Sequence, residues 1–340
     1  MLRVVGVDPR DDVAFGRWYA VTTDVLRDLR PEDDQPPLAE QRVAALAGLP
    51  ERRPSELVEL VLAVDPADRP VGAGRLELPV RDNTHVAYVE LHVPAAQRRR
   101  GTGTALLDAL SARGRAAGRT LLMTELDESP ALAGRSPGRA FLTAAGLECA
   151  LEEVRRDLAL PADQDRLAQL EARCAPLARD YELLTWHDRC PDELLDDRAE
   201  LGRAMSTDVP LGDLDWQEET WDAARVRERE QLLAEQGRTC VVGAAVHRPS
   251  GALVAFTELV GRPAAPRQVQ QWETLVRAEH RGRRLGTLVK VVALRRLMQV
   301  LPGARSVATG NAATNTHMIA VNEALGFVPN GTVTQWQRPL

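Results

Sequence analysis

The residues best suited to chemistry lie in two loops rich in arginine and glycine. The first reads Arg98-Arg99-Arg100-Gly101-Thr102-Gly103 and the second Arg281-Gly282-Arg283-Arg284-Leu285-Gly286. Each follows an extended apolar run, Val89 to Val93 in one case and Trp272 to Val276 in the other. The two segments superimpose at a constant offset of 183 residues. Glycine lets backbone come close, amide N–H groups at a helix start point at an anion, and arginine adds charge-assisted contacts. The pattern suits a diphosphate. A solvated basic turn explains one such loop as well; a second copy after an equivalent strand favours a cofactor site.

Glu273 lies on the strand before the second loop. A carboxylate there can take a proton from an ammonium group, or pair with a nearby arginine as an ordinary strand-face residue. Glu90 is its counterpart in the first segment. His92 and His280 flank the loops and read as packing or solvated residues. Asp208, Asp213, Asp215, Glu218, Glu219 and Asp222 form an acidic stretch able to attract a cationic amine, though solvated and helix-start roles are favoured. Trp216, Trp221 and Trp272 read as core. No Ser-His-Asp or Cys-His arrangement shows, which suits direct attack on an activated acyl group.

Composition narrows the classes. A formal net charge of −6 argues against a general nucleic-acid binder. Of 43 lysines and arginines only Lys290 is a lysine, and its helical context fits neither a P-loop nor a pyridoxal enzyme. Cys149, Cys174, Cys190 and Cys240 form no C-x-x-C pair and are expected as free, buried thiols. The six histidines are scattered, so no metal site is expected. There is no signal segment and no apolar run of membrane length, which points to a cytoplasmic protein without membrane contact.

The elements that must position the loops form the same series twice, β-α-α-β-β-β-α-β-α-β. In the first half, strands are expected at 2–7, 57–64, 71–78, 87–93, 120–125 and 147–158, with helices at 11–29, 38–47, 102–117 and 138–145. A helical joint follows at 161–179. In the second half, strands are expected at 181–186, 238–247, 253–259, 270–276 and 306–309, with helices at 191–205, 219–236, a core-striped one after the loop, and 315–325. A closing hairpin over 327–337 turns at Asn330-Gly331. The series implies an α/β (α+β) layout with a mixed sheet flanked by helices.

Arg98-Arg99-Arg100-Gly101-Thr102-Gly103 resembles the R/Q-x-x-G-x-G/A signature of the GNAT acetyltransferase superfamily. Asn315 to Phe327 is similar to that superfamily's later N-x-x-(small/apolar)-x-x-x-Y-x-x-x-G-F segment. The likeness covers nearly the whole chain and implies two tandem GNAT-like domains, 1–160 and 180–340, joined by a helical linker at 161–179. It implies acetyl-CoA as cofactor. Main-chain pantetheine contacts would fall at Leu275 and Val276, or at Leu91 and Val93. Pyrophosphate contacts would fall along Arg281, Gly282, Arg283, Arg284, Leu285, Gly286 and Thr287, or along Arg98, Arg99, Arg100, Gly101, Thr102, Gly103 and Thr104. Asn315 matches an asparagine near the cofactor, and Glu273 a frequent general base. Two departures stand out. Arg284 replaces the first signature glycine, and Asn322 replaces the tyrosine that protonates the departing thiolate. In the first half Leu142 and Arg135 stand at the tyrosine and asparagine positions.

The expected activity is acetyl-CoA-dependent N-acyl transfer to a small-molecule amine, with Glu273 and Asn322 as catalytic residues of the second domain. A degenerate acyl-CoA sensor and a protein N-acetyltransferase are the alternatives. No nucleic-acid or membrane partner is expected, and the chain is read as a monomer or homodimer.

Overall fold

A computed structural model of the protein describes residues 2–52, 54–132 and 136–340. Arg135 lies outside the described residues. Internal packing divides the chain into two compact units. One comprises residues 1–152, 212–216 and 331–340; the other comprises 153–211 and 217–330.

The first unit contains β1 (Arg3–Val7), α1 (Asp12–Leu29), α2 (Leu38–Ala47), β2 (Glu56–Val64), β3 (Pro70–Pro79), β4 (Val86–His92), α3 (Thr102–Ala116), β5 (Leu121–Glu128) and α4 (Pro137–Ala144). Next comes β6 (Glu148–Ala159), whose residues from Glu153 onward belong to the second unit. The second unit continues with α5 (Gln164–Cys174), β7 (Tyr181–His187), α6 (Leu195–Asp208), α7 (Ala223–Glu235), β8 (Thr239–His247), β9 (Leu253–Gly261), β10 (Gln268–Val276), α8 (Leu285–Val300), β11 (Ser306–Ala312) and α9 (Thr316–Leu325). The last strand, β12 (Val328–Pro339), passes into the first unit at Gly331. This is the α/β series expected from the sequence.

The partition is not contiguous, and here the expected domain boundaries need correction. Strand order in the first unit is β1-β2-β3-β4-β5-β12, so the C-terminal strand closes the N-terminal unit. Thr332 to Pro339 pair antiparallel with Glu128 to Leu121. Strand order in the second unit is β6-β11-β10-β9-β8-β7, with Ser306 to Ala312 antiparallel to Ala159 to Glu153. Helix α5 is not a free joint either. Leu167, Leu170 and Cys174 are buried in the second unit's core, as their helical spacing suggested.

The expected hairpin at Asn330-Gly331 is also corrected, because β12 runs straight through it. Gly331 has φ 117°, and a Cβ there would lie 2.4 Å from the Glu128 carbonyl and 2.5 Å from Arg30 Nη2. Close approach of backbone, not a turn, demands the glycine.

In each unit one strand pair is parallel and opens at its C-terminal end. Val86 to Tyr88 pair with Leu121 to Met123, after which β4 and β5 diverge. Gln268 to Gln270 pair with Ser306 to Ala308, after which β10 shifts register against β9 between Gln271 and Thr274 and leaves β11. Such a bulge bends the strand and re-aims its side chains. Core packing covers both faces of the second sheet. Val291, Leu294 and Leu297 of α8 lie with Val241, Leu259 and Val307, while Leu201 and Leu233 lie with Val242, Phe256 and Leu275.

Candidate functional site

Each loop is a short 3₁₀ turn followed by two left-handed residues and a helix. In the first, Arg99 has φ 59° and Gly101 φ 82°; in the second, Gly282 has φ 80° and Arg284 φ 60°. The glycine and the arginine have traded places between copies, but the backbone path is the same. Arg98 Nε donates to the Val93 carbonyl at 3.1 Å, and Arg281 Nε donates to the Val276 carbonyl at 3.2 Å. These bonds tie each loop to the end of its strand.

Gly101 and Arg284 stand at the N-caps of α3 and α8, and neither helix start has a side-chain cap. By contrast Asp11, Ser136, Asp163, Asp222 and Asn315 each cap a helix with a side chain. The first-turn N–H groups of α3 and α8 are therefore available to an anion. Beside the second loop lies a cleft of 320 Å³, lined by Arg284 and Thr287 of the α8 start, Arg173 and Cys174 of α5, and His317 and Val321 of α9. Arg284, at the position of a signature glycine, is one of the residues that line this cleft.

Glu273 sits at the bulge of β10. Arg198 of α6 and Arg229 of α7 each bridge it to Glu258 of β9. The contacts to Glu258 are short, 2.5 and 2.7 Å; those to Glu273 are longer, 3.4 and 3.2 Å. The Glu258 side chain is 7% exposed and that of Glu273 22%. Burial opposes charge on Glu258, but Arg229 and Arg198 outweigh it and hold the carboxyl below its usual range. Glu258 is thus the structural counter-ion of the pair. Glu273 is held by longer contacts and is the more exposed of the two.

The remaining expected residues are placed as follows. Asn322 is fully buried on α9. Its Oδ1 accepts from Lys290 Nζ at 2.8 Å, and its Nδ2 donates to Asn311 Oδ1 at 2.6 Å. Asn315 caps α9, accepting from the Met318 N–H at 3.2 Å. Leu275 turns into the core, whereas Leu91 and Val93 are partly buried against theirs. The acidic stretch is largely engaged within the protein. Asp208 pairs with Arg281, Glu218 with Arg203 and Glu219 with Arg225, and Asp222 caps α7. His280 is bonded to the Tyr181 hydroxyl at 2.9 Å. Cys149 is exposed rather than buried, unlike the other three thiols. Among the described residues there is no cluster of metal ligands and no helix long and apolar enough to cross a membrane.

No protein-family model matches the sequence, and no curated protein matches it. Solved structures do. A tandem GNAT protein from the clavulanic acid biosynthesis pathway is 28% identical, with a TM-score of 0.78 over 100% of this chain and 98% of that one. The chain has the fold of a tandem GNAT protein. A GCN5-related N-acetyltransferase from Sphaerobacter thermophilus shares the fold at 15% identity and a TM-score of 0.61, covering 99% of this chain and 95% of that one. So does a putative acetyltransferase from Pyrococcus horikoshii, at 12% identity and a TM-score of 0.56, covering 100% of this chain and 89% of that one.

Reading the sequence as that of a tandem GNAT protein missed Lys290, Asn311 and the Arg198–Arg229–Glu258 group. The one signal for Lys290 was its type, a solitary lysine inside an apolar helix. Nothing local marks the others, because their partners lie on distant elements.

Proposed function

We propose that the protein is an acetyl-CoA-dependent N-acyltransferase acting on a small-molecule amine, with the chemistry in the second unit. One observation carries this reading: two left-handed residues lead into an uncapped helix beside a strand that has just parted from its neighbour. The chemistry of that donor set fits a diphosphate followed by an extended amide-bearing arm. The N–H groups of Leu285, Gly286 and Thr287 would hold the diphosphate, and Arg284 and Arg173 give the adjoining cleft cationic character suited to further phosphate. Alternate main-chain groups of Thr274 to Val276 face away from β9 and would hold the arm and a developing oxyanion. When bound, acetyl-CoA supplies the acyl group as an activated thioester. Glu273 accepts the proton of the amine, through water, while Arg198 and Arg229 keep its carboxylate oriented. The names of the neighbouring structures, acetyltransferases of several origins, support acyl transfer in general.

Calorimetric titration with acetyl-CoA tests the reading at the two equivalent N-cap positions. Gly101→Glu and Arg284→Glu each place a carboxylate at one nest. Loss of binding in Arg284→Glu alone assigns the cofactor to the second unit. Unaltered binding in both variants rejects the nests as the site. Binding without thiol release across an amine panel would make the protein a sensor.

A further inference from the structure

Lys290 is the only lysine of the chain, and it is 1% exposed. An ammonium costs several kcal/mol to bury and is normally paired with a carboxylate. This one is not. Its single hydrogen bond goes to Asn322 Oδ1 at 2.8 Å, and the Phe327 ring lies 6.0 Å from Nζ. The carboxylates on the elements packed around α8 are turned elsewhere. Glu171 of α5 pairs with Arg295, Glu258 of β9 and Glu273 of β10 pair with Arg198 and Arg229, and Glu323 of α9 is exposed. Among the described residues, two of the three Nζ protons are left without a partner.

The surroundings say what they face. Lys290 lies on the sixth residue of α8, about 8 Å along the helix from its anion-binding start. Asn311, the far end of the Lys290–Asn322–Asn311 chain, lies three residues beyond Ala308, where β11 has lost its parallel partner β10. The polar chain therefore borders the opening between the two strands. Asn322 fixes the ammonium there but has no acidic proton to give at neutral pH.

We propose that Lys290 is the proton donor to the thiolate that departs in the opening between β10 and β11. The inference rests on the acyl-transfer reading above. As the carbon–sulfur bond breaks, its electron pair goes to sulfur and one Nζ–H proton follows. A thiol and a neutral amine result, and Lys290 is recharged by the proton released from the acceptor amine through Glu273 and water. Burial pulls Lys290 down to about 7. An ordinary lysine, near ~10.4, is a weaker acid than a thiol near ~8.5, whereas Lys290 is a stronger one, so the transfer runs downhill.

The solitary lysine makes the test direct. Protein labelled with ¹³C and ¹⁵N in lysine gives one side-chain signal, which is titrated alone, with coenzyme A and with desulfo-coenzyme A. Both ligands fill the nest, but only the first carries sulfur. The expected result is a Lys290 signal and midpoint that differ between the two complexes, because only coenzyme A places a sulfur, still a neutral thiol where Lys290 titrates, against Nζ. Identical titrations in the two complexes overturn the proposal. Failure of either ligand to bind overturns the acyl-transfer reading and this proposal with it. Lys290→Met, checked for folding by its melting temperature, is expected to bind coenzyme A normally and to lose ~100-fold or more in thiol release. Unchanged release would also overturn the proposal.

Discussion

Gly101 and Arg284 hold the same left-handed backbone conformation at the same step of two loops, with φ of 82° and 60°. In Arg284 a side chain is kept where a glycine would rest without strain. A left-handed non-glycine residue costs ~1–2 kcal/mol, against ~0.5–1 kcal/mol for the extra freedom that glycine loses on folding. Arg284→Gly is therefore expected to raise stability slightly, by ~0.5 kcal/mol in chemical unfolding. It is expected to weaken acetyl-CoA binding, because the cleft loses a cation. A variant that is both less stable and equally tight in binding would show that Arg284 is kept for packing.

Glu258 and Glu273 share two arginines unequally, and their glutamine variants are expected to differ in kind. Glu258→Gln leaves the buried Arg198 short of its closest counter-ion and is expected to cost ~3–5 kcal/mol. The sign with pH follows from the lowered carboxyl. Its contribution is present above the unfolded value of 4.5 and is lost as pH falls through the lower folded value, so wild type and variant converge in acid. Glu273→Gln, with its longer contacts, is expected to cost less stability and to lower turnover strongly at unchanged acetyl-CoA affinity. Urea unfolding and initial rates separate the two. Full turnover in Glu273→Gln removes it from the mechanism.

Lys290 predicts a rise with pH in a different, higher window. Its folded value of about 7 lies below the unfolded 10.5, so between these limits the unfolded chain binds more protons. Stability contributed at this site rises with pH across that window, and the full cost of burying the ammonium is present below pH 7. Lys290→Met is expected to raise the melting temperature most at pH 6 and least near pH 10, offset in part by the unpaired Asn322 oxygen. A gain independent of pH would mean that folding leaves the lysine's hold on its proton unchanged.

Much of the site was legible because it is local. The strand–loop–helix unit needs only a dozen consecutive residues, and its repetition at a constant offset showed itself in the letters alone. The glycine at 282 and the apolar stripe of α8 were readable for the same reason. Glu273 was readable as a candidate, but its unequal sharing of arginines was not, since Arg198 and Arg229 come from two other helices.

The sequence by itself determined the element series, the two nests and the family resemblance, because hydrophobic period, turn chemistry and loop spacing act over a few residues. Only the tertiary structure decided that β12 completes the first unit and that Asn330-Gly331 runs straight. Strand partners are chosen by packing against residues such as Glu128, some two hundred positions away. It also decided what Lys290 is. Among the described residues it is buried with Asn322 as its hydrogen-bond partner and no carboxylate against it, a setting that only distant elements could build.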